Sequence, residues 1–378
     1  MEFPKKFRFH LLSLAHIPTT KEYSACAYSQ KIIKLSTMLM KLGHDVYFYG
    51  NEDSELPCTE LVPVLTKKER DDCYGPYDWK KEFFKFSNTD SVWTTFNNRS
   101  IVEINKRKEK FDFLLCTMGH WHRPVADAVK DITVVEPGIG YSGVFSSFRV
   151  FESYAWMHYI YGQLKQETGN FYDCVIPNFY DPMDFPYSEK KEDYFVYMGR
   201  LIYNKGVDIA VQTTKKIGAK LIVAGQGSLT DGGLNIKDSH VEHVGCLGMK
   251  EKGELLSKAK GLFVPTYYIE PFGGVSIESF FAGTPVISTD WGCFSENNIH
   301  GKTGYRCRTL GEFIWAAKNI ENIKSYDCRH WAVNNFSMDR IAQQYQHYFE
   351  NIRDLDINLG AGFYSDRVGN MNHLTKYF

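Results

Sequence analysis

Residues 261–283 read GLFVPTYYIEPFGGVSIESFFAG. The first five residues form an apolar, β-leaning run that ends at Pro265. The stretch from Val275 to Gly283 continues as a helix. Strand, loop and helix start are the parts of a βα unit, and its loop carries Glu270-Pro271-Phe272-Gly273-Gly274. Gly273 and Gly274 let a ligand approach the backbone closely. The helix start beside them presents free N–H groups and a positive dipole end, which suit a diphosphate. Glu270 on the loop and Glu278 one turn into the helix can each accept hydrogen bonds from sugar hydroxyls.

Working outward, the pattern repeats on both sides. Downstream of Pro177 the expected strands are 194–198, 220–224, 240–244, 261–265 and 284–288, with helices at 208–217, 250–259 and 310–320. A long helix over 338–355 follows. Upstream, 7–17 reads as a strand, 24–42 as a helix closed by Gly43, and 44–49 as a second strand. Strands are also expected at 111–117 and 132–136, and helices at 91–108 and 146–161. The polar, Pro-bearing stretch 51–90 reads as an irregular insertion, and 181–193 as a linker. Strands alternating with helices give an α/β chain with two parallel sheets, each in a Rossmann-like domain. Its 378 residues are too many for one ordinary core.

A second motif lies at the end of the first strand of the later series. Met198-Gly199-Arg200-Leu201 is followed by Asn204-Lys205-Gly206. Parallel sheets bind ligands at strand ends. Arg200 can meet a diphosphate bidentately and Lys205 as a point charge. A departing nucleoside diphosphate gains charge as its glycosidic bond breaks, so cations aimed there favour the transition state.

These segments, with AGQGS at 224–228, HVGCLG at 243–248 and the block EPFGGVSIESFFAGTPVISTDWGCFSE, resemble glycosyltransferase family 4. The resemblance runs from Val175 to about Phe349 and is looser before it. It implies the GT-B fold: an N-terminal acceptor-side domain over 1–177, a donor domain over 178–337, and a terminal helix (about 338–378) packing back on the first. It implies retention of anomeric configuration and transfer from a UDP- or GDP-sugar without a metal or other cofactor. Arg200 and Lys205 would contact the diphosphate. Glu270 would bind hydroxyls of the transferred sugar. Phe272, Gly273, Gly274 and Val275 would line the donor, Glu278 would hold the ribose, and Cys246 and Leu247 would lie by the base. Either His120 or His122 would be the histidine of the cleft. Many members carry a glycine pair after the first strand; here the loop reads HIPTTKEYS, so Thr19, Thr20 or Ser24 would substitute. Gly140, Tyr141 and Trp121 are expected on the acceptor side.

The acceptor is expected to be a glycan hydroxyl. A modified base in DNA stays open through the basic run Asn105–Lys110 and the 15% aromatic content. A net charge of -1 argues against whole-molecule attraction to nucleic acid or anionic lipid. Rival readings are a phosphorylase or epimerase on the same fold, and a nucleotide-sugar-binding module without catalysis. Gly138–Gly143 satisfies G-x-G-x-x-G but lacks a helix opening and a well-spaced acid, so it reads as a loop at the cleft. Asp354-Leu355-Asp356 reads as a helix end. Nine unpatterned cysteines fit a reducing, cytosolic setting, and no run is long enough to span a bilayer.

Overall fold

The computed structural model describes residues 6–359 apart from positions 77 and 232, with side chains described as far as Arg353. The first sheet contains β1 (Arg8–Leu12), β2 (Asp45–Asn51), β3 (Glu60–Leu65), β4 (Phe113–Leu115), β5 (Thr133–Ile139), β6 (Phe148–Phe151) and β7 (Asp173–Val175). The second contains β8 (Tyr194–Met198), β9 (Lys220–Ala224), β10 (Val241–Gly245), β11 (Gly261–Val264), β12 (Val286–Thr289) and β13 (Gly304–Cys307). The strand orders are β3-β2-β1-β4-β5-β6-β7 and β10-β9-β8-β11-β12-β13. Every pairing between these strands is parallel. Continuous apolar runs such as Phe113–Leu115 and Phe195–Tyr197 are buried, as strands covered by helices on both faces must be. Each sheet reverses its winding beside its first strand, at β1/β4 and β8/β11. That reversal opens a crevice at the strand ends.

Two core clusters follow the two sheets. The first also takes in Met338, Ile341, Ala342, Tyr345, Tyr348, Phe349 and Ile352 of the terminal helix Met338–Leu359. Their spacing of three and four residues puts them on one stripe, which docks on the first sheet. Phe349 lies 4.7 Å from Phe9 and 5.1 Å from Phe113. The two chain crossings run side by side: Tyr180 N donates to Phe336 O at 3.0 Å, and Met338 N to Tyr180 O at 2.9 Å.

Three expectations are corrected. The helix expected over 146–161 is a strand, β6, followed by the helix Tyr154–Gln163. Phe148–Phe151 is claimed by pairing between β5 and β7, and Ser153 Oγ caps the helix by accepting from Trp156 N at 3.1 Å. The stretch 51–90 is not irregular throughout. It holds β3 and the helix Lys67–Tyr74, whose capping box joins Thr66 and Glu69. Finally, β13 and the helix Ser325–Phe336 were not anticipated. The D-x-D at 354–356 falls within the terminal helix, beyond the described side chains, and most of the 358–378 tail lies outside the described residues. No helix among the described residues is long and apolar enough to cross a membrane.

Candidate active site

The ends of the strands facing the crevice enclose a cavity of about 1070 Å³. Its C-terminal wall comes from the loops after β8, β9, β10 and β11. After β11 the chain turns at Gly273, which has φ +68° and caps the helix Gly274–Phe281. A Cβ there would lie 2.7 Å from Phe294 Cε1, so both space and backbone conformation call for glycine. A Cβ at Gly274 would meet the Tyr180 hydroxyl at 2.5 Å. Asn297 Nδ2 donates to Phe272 O at 2.8 Å and fixes the turn from behind.

Arg200 and Lys205 line the same cavity as Gly273 and Gly274, together with Glu270, Phe272, Val275, Glu278, Cys246 and Leu247. Lys205 Nζ sits 2.6 Å from Glu270 Oε2 and 4.8 Å from the Tyr268 ring. Both partners of that ion pair are mostly buried, so their charges are weakly screened and each holds the other in place. Arg200 is exposed within the cleft. Glu278 is 9% exposed and its Oε2 is 3.3 Å from Lys252 Nζ. The site therefore offers cations and helix N–H groups at one end, and carboxylates able to accept from hydroxyls beside them.

The N-terminal wall is built from side chains. Lys31 and Lys34 project from the helix Ala27–Lys41, with Tyr28, and Gly140 and Glu152 follow the ends of β5 and β6. Lys34 Nζ donates to Asn178 Oδ1 at 2.8 Å and stands 3.7 Å over the Tyr180 ring. Burial pushes its pKa down to about 7, against the pull of Glu278 and Glu152. The walls also touch directly. Glu296 accepts from Tyr154 N at 2.9 Å and Ala155 N at 2.7 Å, so a carboxylate of one domain caps a helix of the other. Ser153 Oγ donates to Pro271 O at 2.6 Å, and Ser24 Oγ to Leu247 O at 3.3 Å. Gln226 of the AGQGS turn donates to the carbonyls of Trp79 and Glu82, so the insertion straps the same end of the crevice.

Residues 183–321 match the model of the family described as glycosyl transferases group 1. The glycogen synthase of Mycobacterium tuberculosis is 26% identical, over 72% of this chain and 76% of that protein. Among solved structures, the sucrose-phosphate synthase of Thermosynechococcus elongatus superposes with a TM-score of 0.69 at 15% identity, covering 92% of this chain and 99% of that one. Anabaena HepE in complex with UDP and glucose gives 0.64 at 13% identity, covering 91% and 99%. The chain is a glycosyltransferase of the GT-B fold.

Other expected positions of the glycosyltransferase fall elsewhere. His122 is fully buried, with Nδ1 accepting from Thr117 N at 3.1 Å and Nε2 2.9 Å from Ser13 O. Burial lowers its pKa to about 3. It is a neutral core residue bound on both ring nitrogens, not a cleft group. His120 is exposed, its N–H donating to Gly143 O at 2.9 Å, and it does not line the cavity. Trp121 packs 4.7 Å from Trp93, and the Tyr141 hydroxyl is buried on Glu136 at 3.2 Å; neither lines the cavity, whereas Gly140 does. Thr19 and Thr20 lie behind the wall, and Lys21 and Ser24 stand at its surface instead. The basic run faces away. Arg107 pairs with Glu60 and Glu103, and its carbonyl accepts from Arg8 at the start of β1, the end of the sheet opposite the cleft.

Tyr28, Glu152 and Tyr180 escaped the sequence reading, and Lys31 and Lys34 entered it only as cations of the 24–42 helix. Spacing put Lys31 and Lys34 on a helix, but only the fold shows that this face meets the second domain.

Proposed function

We propose that the protein is a retaining glycosyltransferase that moves a sugar from a UDP- or GDP-sugar to a glycan hydroxyl. The observation that carries this is the shared cavity wall: Arg200, Lys205 and the Gly273–Gly274 helix start converge with Glu270 and Glu278. In this reading the pyrophosphate lies on the helix N–H groups, with Arg200 and Lys205 as its counter-charges in place of a metal. Glu270, already held by Lys205, accepts from hydroxyls of the transferred sugar, and Glu278 from the ribose. Cys246 and Leu247 flank the base. HepE's structure with UDP-glucose supports a uridine donor. The acceptor hydroxyl attacks the anomeric carbon on the face that the phosphate leaves, and the departing phosphate oxygen takes its proton. The contacts across the crevice exclude water and so limit donor hydrolysis. Nine free cysteines and no bilayer-spanning helix among the described residues support a reducing, cytosolic setting.

Mass spectrometry of products from UDP- and GDP-sugars with glycan acceptors tests this. Transfer is expected from the parent, falling by about 100- to 1000-fold in Arg200→Ala and Glu270→Ala. Donor binding without any transfer by the parent would instead identify a binding module.

A further inference from the structure

Glu152 follows the end of β6 on the N-terminal wall and is 5% exposed, yet it lines the cavity. Lys31 Nζ forms an ion pair with its Oε1 at 2.9 Å and also donates to Gly138 O at 2.6 Å. Among the described residues no well-aligned donor reaches Oε1. A buried carboxylate ordinarily collects several hydrogen bonds, because water no longer supplies them. Here Lys31 stabilises the charge at the occluded Oε1, while the Glu152 side chain lines the cavity.

The surroundings hold the carboxylate in register with the donor loop. A Cβ at Gly140 would overlap Glu152 Oε2 and would come within 3.4 Å of Pro271 Cβ. Any larger residue at 140 would therefore separate Glu152 from the loop carrying Glu270. Tyr28 fixes Gly140 by donating to its carbonyl at 3.1 Å. The next residue, Ser153, is bonded to Pro271 O, and Tyr154 and Ala155 are held by Glu296. The β6 end is thus pinned to the C-terminal domain at two points, Pro271 and Glu296.

We infer that Glu152, charged and positioned by Lys31, binds a hydroxyl of the sugar acceptor and orients it toward the anomeric carbon. This rests on the transferase reading above and names the acceptor-side group of that site. Glu152 accepts a hydrogen bond and keeps its charge; the proton of the attacking hydroxyl still leaves with the phosphate.

The test compares Glu152→Gln with the parent, using UDP-glucose and GDP-mannose as donors and a set of methyl hexosides as acceptors. Donor affinity and acceptor-free donor hydrolysis should stay within about twofold, while acceptor KM rises by about 10- to 100-fold, the range for a hydrogen bond to a charged group. Glu152→Asp should recover part of that loss. Lys31→Met/Glu152→Gln removes the stranded ammonium and should show the same acceptor defect if the single variant folds poorly. Equal losses in hydrolysis and transfer, or unchanged transfer, overturn the inference while leaving the parent a transferase. Donor hydrolysis by the parent with no transfer to any hexoside also overturns it. A parent that neither hydrolyses nor transfers sinks the transferase reading itself.

Discussion

The C-terminal half brings main chain as well as charged side chains to the cleft, whereas the N-terminal half brings chiefly side chains. After β8 and β11, Gly206 and Gly273 adopt φ of +71° and +68°, and a Cβ on either would strike a neighbour, Pro265 O or the Phe294 ring. Facing them, Lys31, Lys34, Tyr28 and Glu152 reach in from a helix and a strand end. Both sheets are wound the same way, so the difference lies in what each wall must hold. A pyrophosphate is recognised by N–H groups and compact charge, which demand close backbone approach. The opposite wall has no such requirement, and its chemistry rests on which side chains the packing turns inward.

That contrast is open to attack. The largest expected effect is at Gly206, where alanine would need a left-handed backbone and room already taken by Pro265 O. Gly206→Ala should lower unfolding free energy by roughly 3 kcal/mol or more. A denaturation midpoint close to the parent's would show that the C-terminal glycines are not required. The middle effect concerns the N-terminal domain's buried histidines. Burial lowers His16 and His122 to about 3, so between about 6.5 and 3 the unfolded chain binds protons that the folded one does not. Stability should therefore drop as pH falls through that window. His16 stacks on Phe86 at 4.5 Å with Nδ1 unpartnered among the described residues, so His16→Phe should flatten the drop between pH 7 and 5. An unaltered pH slope in urea titrations would exclude His16 as a source. The smallest effect is at Gly162, in the helix Tyr154–Gln163, where a new Cβ meets nothing within 4 Å. Gly162→Ala should gain about 0.5–1 kcal/mol. A loss there would mean that N-terminal glycines are as constrained as those lining the donor wall.

Legibility followed the same division. The Gly-Gly turn after β11 and the Arg200–Lys205 loop could be read because their chemistry lies within a few consecutive residues. Thr66-Lys67-Lys68-Glu69 carried a capping-box signal for the missed helix at 67–74. The β6 error had no such remedy: FRVF is aromatic and short, and only pairing with β5 and β7 makes it a strand. His120 and His122 looked equivalent, since residues two apart on a turn differ only in which way the fold points them.

The chain's own pattern, then, determined two parallel α/β units, the donor loop and its cations, because hydrophobic period and glycine placement act over short range. The amphipathic stripe of the terminal helix, Met338 to Ile352, was also written in spacing. Only the folded molecule decided which face of the helix Ala27–Lys41 meets the cleft, that Glu296 caps the partner domain's helix, and that Glu152 stands beside Pro271. Those contacts join residues more than a hundred positions apart, and their geometry exists only once both cores have packed and the crossings at Tyr180 and Met338 have set one sheet against the other.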